Sequence, residues 1–450
     1  MNLLTLSWKN LVHKPLSLLL SLLLFALGTG LISLLVNLNH QVSRNFEKNL
    51  AGVDLVIGAK GSPLQLILCS MYHVDNPTGN ISLEAAGPFL NPRNPLVSQA
   101  VPLSLGDSHR GYRVVGTTWD ILALYGAELA EGDLWKEPME VTIGAGVARN
   151  LQLAPGDRFR SSHGLVEGLE EHEHDFVVVG ILKPTGSVID QLMLTPTESI
   201  WLSHDHSSQE SSGEDGADID DHEGHDHGCH DHGCHGAEEV RRMAYDSSTI
   251  VAGGMAARQR LMAEKGRDIT AVLVRFRSRT NIQALNLGRN INQQTGMMAA
   301  SPPNEIARLQ TNLGVGTEVL KVMAWVIVFV SGLSIFISLY SSLRDRAYEL
   351  ALMRVMGSSP GKLFRLIVME GLLMAATGYA IGLALSHTGL VVLSAILSES
   401  YRYQFSAWII LPEEVMLGLG ALVVGGLAAI LPAWQASRTD ISETLGQEGR

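Results

Sequence analysis

Three cysteines in 450 residues, Cys69, Cys229 and Cys234, are too few for a disulfide framework. Only Cys229 and Cys234 are close enough in sequence to suggest pairing in an oxidising compartment. A basic patch of the kind that nucleic acid requires is also lacking. The formal net charge is −12, and residues 204–239 hold 12 Asp or Glu and no Lys or Arg, so the remainder is formally neutral. There is no G-x-x-x-x-G-K-[ST] phosphate loop. The fragment Gly58-Ala59-Lys60-Gly61-Ser62 echoes it with the wrong spacing. H-E-x-x-H is absent too, and no nucleophile–base pair stands out, which disfavours a free-standing enzyme.

Present instead are four long apolar stretches, residues 16–38, 323–343, 363–385 and 415–431. Each is of the order needed to cross a hydrocarbon core of about 30 Å as a helix. The third carries Arg365 and Glu370 near its start, and an ionisable residue inside a span is a functional candidate by default. The first stretch follows Lys9 and Lys14 but is longer than a signal-peptide core and has no A-x-A site after it, which reads as a retained anchor. Arg344, Arg346, Arg354 and Lys362 crowd the short loop between the second and third stretches, whereas the loop after the third has only Arg402. The positive-inside rule then places the basic loop and both termini in the cytoplasm.

The predicted organisation is a cytoplasmic N-terminus (1–15), transmembrane helix 1 (16–38), and an extracytoplasmic domain with stalks (39–322). Transmembrane helix 2 (323–343), a cytoplasmic loop (344–362) and transmembrane helix 3 (363–385) follow, then an outer loop (386–414), transmembrane helix 4 (415–431) and a cytoplasmic tail (432–450). Between the first two spans, short β-rich runs such as 54–58, 112–116, 141–144, 176–182, 191–195 and 269–277 alternate with helical stretches at 146–153 and 281–294. An α+β domain is the natural class. Residues 39–49 and 303–319 read as helical stalks.

Residues 204–239 interrupt that domain with a low-complexity acidic insert that cannot bury a core. Its candidate ligands are His204, His206, His222, His225, His227, Cys229, His230, His232, Cys234 and His235. Imidazole with thiolate suits Zn²⁺, and also copper or nickel. The near-repeated H-D-H-G-C-H unit offers several alternative tetrahedral sets, so exchangeable binding is expected rather than catalysis. His172, Glu173, His174 and Asp175 form a second small cluster. A solvated acidic tether is the plainer alternative.

Residues 346–370, R-A-Y-E-L-A-L-M-R-V-M-G-S-S-P-G-K-L-F-R-L-I-V-M-E, resemble the cytoplasmic loop and third-span start of MacB/LolC/LolE/FtsX-type (type VII) ABC transporter permeases. The ending 432–445, P-A-W-Q-A-S-R-T-D-I-S-E-T-L, is similar to the family's C-terminus, with Ile441 where Pro is frequent. G-D-R-F at 156–159, F-V-V-V-G-I-L at 176–182 and Asp190 before a strand fit its outer domain.

The resemblance implies a four-helix permease of a bacterial inner membrane with its large domain in the periplasm. It also implies a cytoplasmic ABC ATPase partner, assembly as a homodimer or heterodimer, a possible periplasmic or lipoprotein partner, and ATP-driven movement of the outer domain through the stalks. Arg346, Glu349, Arg354, Gly357 and Lys362 would form the ATPase-coupling loop, with Gly357 ending its short helix. Gly378 and Gly382 present a small-xxx-small face for a dimer seam or for packing within the chain. Glu370 is expected to pair with Arg365 or with an Arg of a neighbouring chain. An FtsX-like regulator of an extracytoplasmic partner, and a metal receptor without an ATPase, remain the alternatives.

Overall fold

A computed structural model describes Ser7 and residues 15–164, 171–204, 245–400 and 406–438. Of the insert's candidate ligands, His206, His222, His225, His227, Cys229, His230, His232, Cys234 and His235 lie outside the described residues. The chain divides into two units, Asn45–Arg308 and the pair Met1–Arg44 with Leu309–Arg450.

Among the described residues, the second of these contains four helices long and apolar enough to cross a membrane. They lie within Pro15–Leu50, Pro302–Asp345, Pro360–Ser400 and Pro412–Arg438. Both expected stalks are continuous with the apolar helices they adjoin. Residues 386–400, expected as loop, instead continue the third helix: S-H-T-G-L-V-V-L-S-A-I-L-S-E-S contains no proline to break it. Large apolar side chains point outward along these helices, Phe329 at 73% and Met416 at 72% exposure, as lipid-facing positions require.

The interior is close-packed through small residues. A Cβ on Gly382 would lie 2.6 Å from the Ala26 carbonyl oxygen, and one on Gly378 would meet Phe25 at 2.9 Å. Both glycines thus pack against the first helix of the same chain. Phe25 is fully buried with Ile335, Leu339, Met374, Ala375, Ala421 and Ala429. Ser331 Oγ donates across to the Leu24 carbonyl at 2.9 Å, a polar tie of the kind used between membrane helices.

The other unit is an α+β domain. Its strands are β1 (Leu55–Ala59), β2 (Ile81–Ser82), β3 (Val97–His109), β4 (Tyr112–Thr117), β5 (Leu129–Gly132) and β6 (Glu140–Ile143). They continue with β7 (Arg158–His163), β8 (Glu171–Leu182), β9 (Met193–Pro196), β10 (Asp268–Ile269), β11 (Ala271–Phe276) and β12 (Met297–Ala300). The main sheet runs β12-β1-β11-β3-β4-β9-β6-β8-β5, and β7 bridges β3 and β8. Most pairs are antiparallel, while β4 with β9 and β6 with β8 are parallel.

Helices start where their caps dictate. Ser82, Asp246 and Asn281 each accept a backbone N–H from the first turn of the helix that follows. One apolar core gathers Ile57, Leu83, Leu90, Val272 and Val274, and another gathers Val114, Val141, Phe176 and Val178. Gly144 opens the helix Ala145–Leu151 at a place where a Cβ would fall 2.3 Å from the Ile189 carbonyl oxygen, so only glycine fits there.

Candidate metal centre

Antiparallel pairing of β3 with β7 sets Asp107 directly opposite His163, and so on the same face of the sheet. The β3–β4 register shifts between Leu105 and Ser108, and a bulge of this kind turns a side chain away from the regular pleat. β8 pairs with the other edge of β7 and brings His172 alongside. His204 caps the helix Thr197–Ser203 that packs over this region.

Three imidazoles therefore converge on one buried carboxylate. Asp107 Oδ1 lies 3.0 Å from His204 Nε2, 3.3 Å from His172 Nε2 and 3.9 Å from His163 Nδ1. Asp107 Oδ2 accepts from Ser161 Oγ at 3.4 Å. All four candidate ligand atoms lie within 4.8 Å of one another. Ligands held at about 2.0–2.1 Å around a tetrahedral ion stand about 3.3 Å apart, a spacing near that of this set, so it could hold a metal ion. Nitrogen with one carboxylate oxygen is also a donor set that zinc accepts.

Burial alone would push the Asp107 carboxyl up, but hydrogen bonds and charge from His204 and His172 outweigh it and hold the group below its ordinary 3.8. The same hydrogen bond raises His204 above its ordinary 6.5. A depressed carboxylate contributes stability that is present above pH 3.8 and lost as pH falls through its folded value. A raised histidine contributes stability that is present below pH 6.5 and lost as pH rises through its folded value. The metal-free chain should therefore gain from this cluster chiefly between those two ordinary values. Thermal unfolding in chelator across pH tests this: His204→Ala should flatten the alkaline decline, and an unchanged profile would refute the coupling.

Of the expected ligands, the structure brings His204 and His172 into the cluster. Glu173, His174 and Asp175 are exposed, and Asp175 accepts from Arg160 Nε at 2.8 Å. Asp107 and His163 were not anticipated. They lie on separate strands, and strand register rather than nearness in sequence unites them.

Two family models match the chain. The MacB-like periplasmic core domain covers residues 18–221, and the FtsX-like permease C-terminal family covers residues 321–441. The chain belongs to the MacB/FtsX-type permease family. Among solved structures, it is similar to the periplasmic region of MacB from Actinobacillus actinomycetemcomitans, at 9% identity and a TM-score of 0.31, covering 59% of this chain and 97% of that one. It is also similar to the extracellular domain of the noncanonic ABC-type transporter YknZ from Gram-positive bacteria, at 11% identity and a TM-score of 0.26, covering 55% and 99%. No curated protein matches the chain. Four membrane-length apolar helices and a MacB-like periplasmic domain fit a membrane protein with a large extracytoplasmic domain.

In this MacB/FtsX-type permease, Arg346 caps the short helix Ala347–Val355, which carries Glu349 in its first turn and Arg354 in its last. Gly357, at φ +94°, closes the helix. Its N–H donates to Arg354 O and that of Ser358 to Met353 O, the paired bonds of a Schellman motif. Lys362 is exposed in the first turn of Pro360–Ser400. Glu370, 1% exposed, pairs with Arg346 at 3.3 Å, whereas Arg365, its expected partner, is exposed. The short helix returns the chain toward Pro360–Ser400 and brings Arg346 back to Glu370, a closure that spacing along one helix could not reveal.

Proposed function

We propose that this chain is the membrane subunit of an ATP-driven MacB/LolE-type machine in a bacterial inner membrane, and that a transition metal of the zinc class bound by its outer domain regulates it. A separate cytoplasmic ABC ATPase acts on the 344–362 segment, with Arg346, Glu349, Arg354, Gly357 and Lys362 shaping the docking surface. The permease works as a homodimer or heterodimer, and the stalks carry the motion outward. The observation that carries the metal reading is the convergence of Asp107, His163, His172 and His204, because His204 is also the first histidine of the insert. A folded site at the root of a ligand-rich segment lets that segment collect ions and pass them to a site of fixed geometry.

The test is ATPase activity of the complex pulled down through this chain, with and without added zinc. Three samples are compared: the intact chain, one lacking residues 205–239, and His172→Ala. Zinc stimulation should be retained or weakened without the insert and lost in His172→Ala, with basal turnover present in all three. Identical zinc responses in all three would overturn the regulatory reading, and no co-purifying ATPase would overturn the machine itself.

A further inference from the structure

Within the helical unit, one carboxylate is buried far from any partner that the sequence suggests. Glu414 is 1% exposed. Its Oε2 accepts from the Leu411 N–H at 3.0 Å, the reciprocal half of a capping box at the start of Pro412–Arg438. Its Oε1 accepts from Ser33 Oγ at 2.5 Å and Asn37 Nδ2 at 2.7 Å, both on the first helix. From the third long helix, His387 Nε2 stands 3.4 Å from the same Oε1.

The other ring nitrogen decides what this contact means. His387 Nδ1 lies 2.5 Å from the Ala407 carbonyl oxygen. A carbonyl can only accept, so Nδ1 must carry a hydrogen. A neutral imidazole has one N–H, and Nε2 would then turn a lone pair toward a carboxylate. That arrangement is repulsive unless one further proton lies on Nε2 or on Glu414. Three hydrogen-bond donors already surround the Glu414 oxygens, which suits an ionised carboxylate and puts the proton on His387.

Among the described residues, the surroundings supply no other charge. From the first helix, the facing groups are Ser33, Asn37 and Gln41, and Gln41 is engaged with the Ser406 backbone. From the third helix they are Ser386, whose Oγ lies 2.9 Å from Ser33 Oγ, and Tyr379, whose hydroxyl donates to the Glu414 carbonyl at 2.7 Å. Neighbouring His40 and Glu413 are exposed. Among the described residues no Lys or Arg pairs with Glu414. A buried carboxylate in a membrane bundle is costly without an opposite charge, and His387 is the group placed to provide it.

We propose that His387 and Glu414 hold one shared proton and that this proton clasps together the first, third and fourth long helices. The clasp sits where the predicted orientation puts the outer end of the bundle. Protonated, it holds the helix ends together. Without that proton, Nε2 would face the carboxylate bare and the contact between the helix ends would be lost.

The experiment is nitrogen NMR of histidine-labelled full-length chain in lipid nanodiscs, with His387→Gln used to assign the resonance. At neutral pH His387 should appear with both ring nitrogens protonated, and Glu414→Gln should convert it to the neutral form with hydrogen on Nδ1. A neutral ring accompanied by an infrared band of a protonated carboxyl that Glu414→Gln removes would move the proton to Glu414 and keep the clasp. A neutral ring without that band, or one unchanged by Glu414→Gln, would overturn it. Thermal stability supplies the second reading: Glu414→Gln and His387→Gln should each lower it, the double variant should cost little more than either alone, and additive losses would count against the clasp.

Discussion

Asp107→Ala should weaken zinc binding at the folded cluster by more than about 100-fold, beyond the 10–100-fold typical of residues that merely support a ligand. The measurement is isothermal titration of the chain lacking residues 205–239, so that only the folded set is read. Among the described residues, Asp107 is the carboxylate adjacent to all three imidazoles, and it brings the negative charge of the four-residue set. Its loss removes a ligand and leaves three rings without the acceptor that orients them. His172→Ala should come close to it, because that ring is buried. His163→Ala should cost least, because its nitrogen is the farthest, at 3.9 Å, and its side chain is 45% exposed.

Binding to the folded state alone also stabilises it, by about 4 kcal/mol at a zinc concentration a thousand times Kd. The parent chain's melting temperature should therefore rise with zinc, and that of Asp107→Ala should not. Equal affinities in the two chains would mean that the cluster is a hydrogen-bonded knot and not a metal site.

What could be read in advance follows from the range of each interaction. Apolar runs of about 20 residues report membrane helices directly, because the signal is composition over a contiguous stretch. Gly357 could be foreseen as a helix stop, since its role depends on its own φ. His204 and His172 drew notice because other ligands crowd them in sequence. Asp107 and His163 could not, because strand pairing created their proximity and β3 is hard to recognise. Gln99, Ser104, Gly106, Asp107 and Ser108 break its apolar alternation, yet most of the strand is buried. Glu414 escaped for a related reason. Its capping box has Leu411 where Ser or Thr would have flagged a helix start, so it read as a loop acid just outside the span. Glu370 was visible as an anomaly, but its partner lies across a chain reversal that local spacing does not encode.

That partner sets the second large effect. Arg346→Ala is expected to destabilise the helical unit by about 3–5 kcal/mol, as removing one member of a buried ion pair commonly does. The Glu370 carboxylate is 1% exposed, and the guanidinium 3.3 Å away is itself steered by a 2.6 Å bond from Arg346 Nη2 to Ser342 Oγ. Glu370→Leu should cost a comparable amount, because it strands the guanidinium, which is only 14% exposed, near apolar neighbours. The double variant Arg346→Met with Glu370→Leu should recover most of the loss, since it exchanges two charges for apolar groups of similar volume and pays neither desolvation penalty. Unfolding of the four chains in lipid nanodiscs gives the coupling energy directly. Additive losses in the double variant would mean that the two side chains act independently. A large favourable coupling would mean that the start of the short Ala347–Val355 helix is fastened to the helix carrying Glu370 by this ion pair.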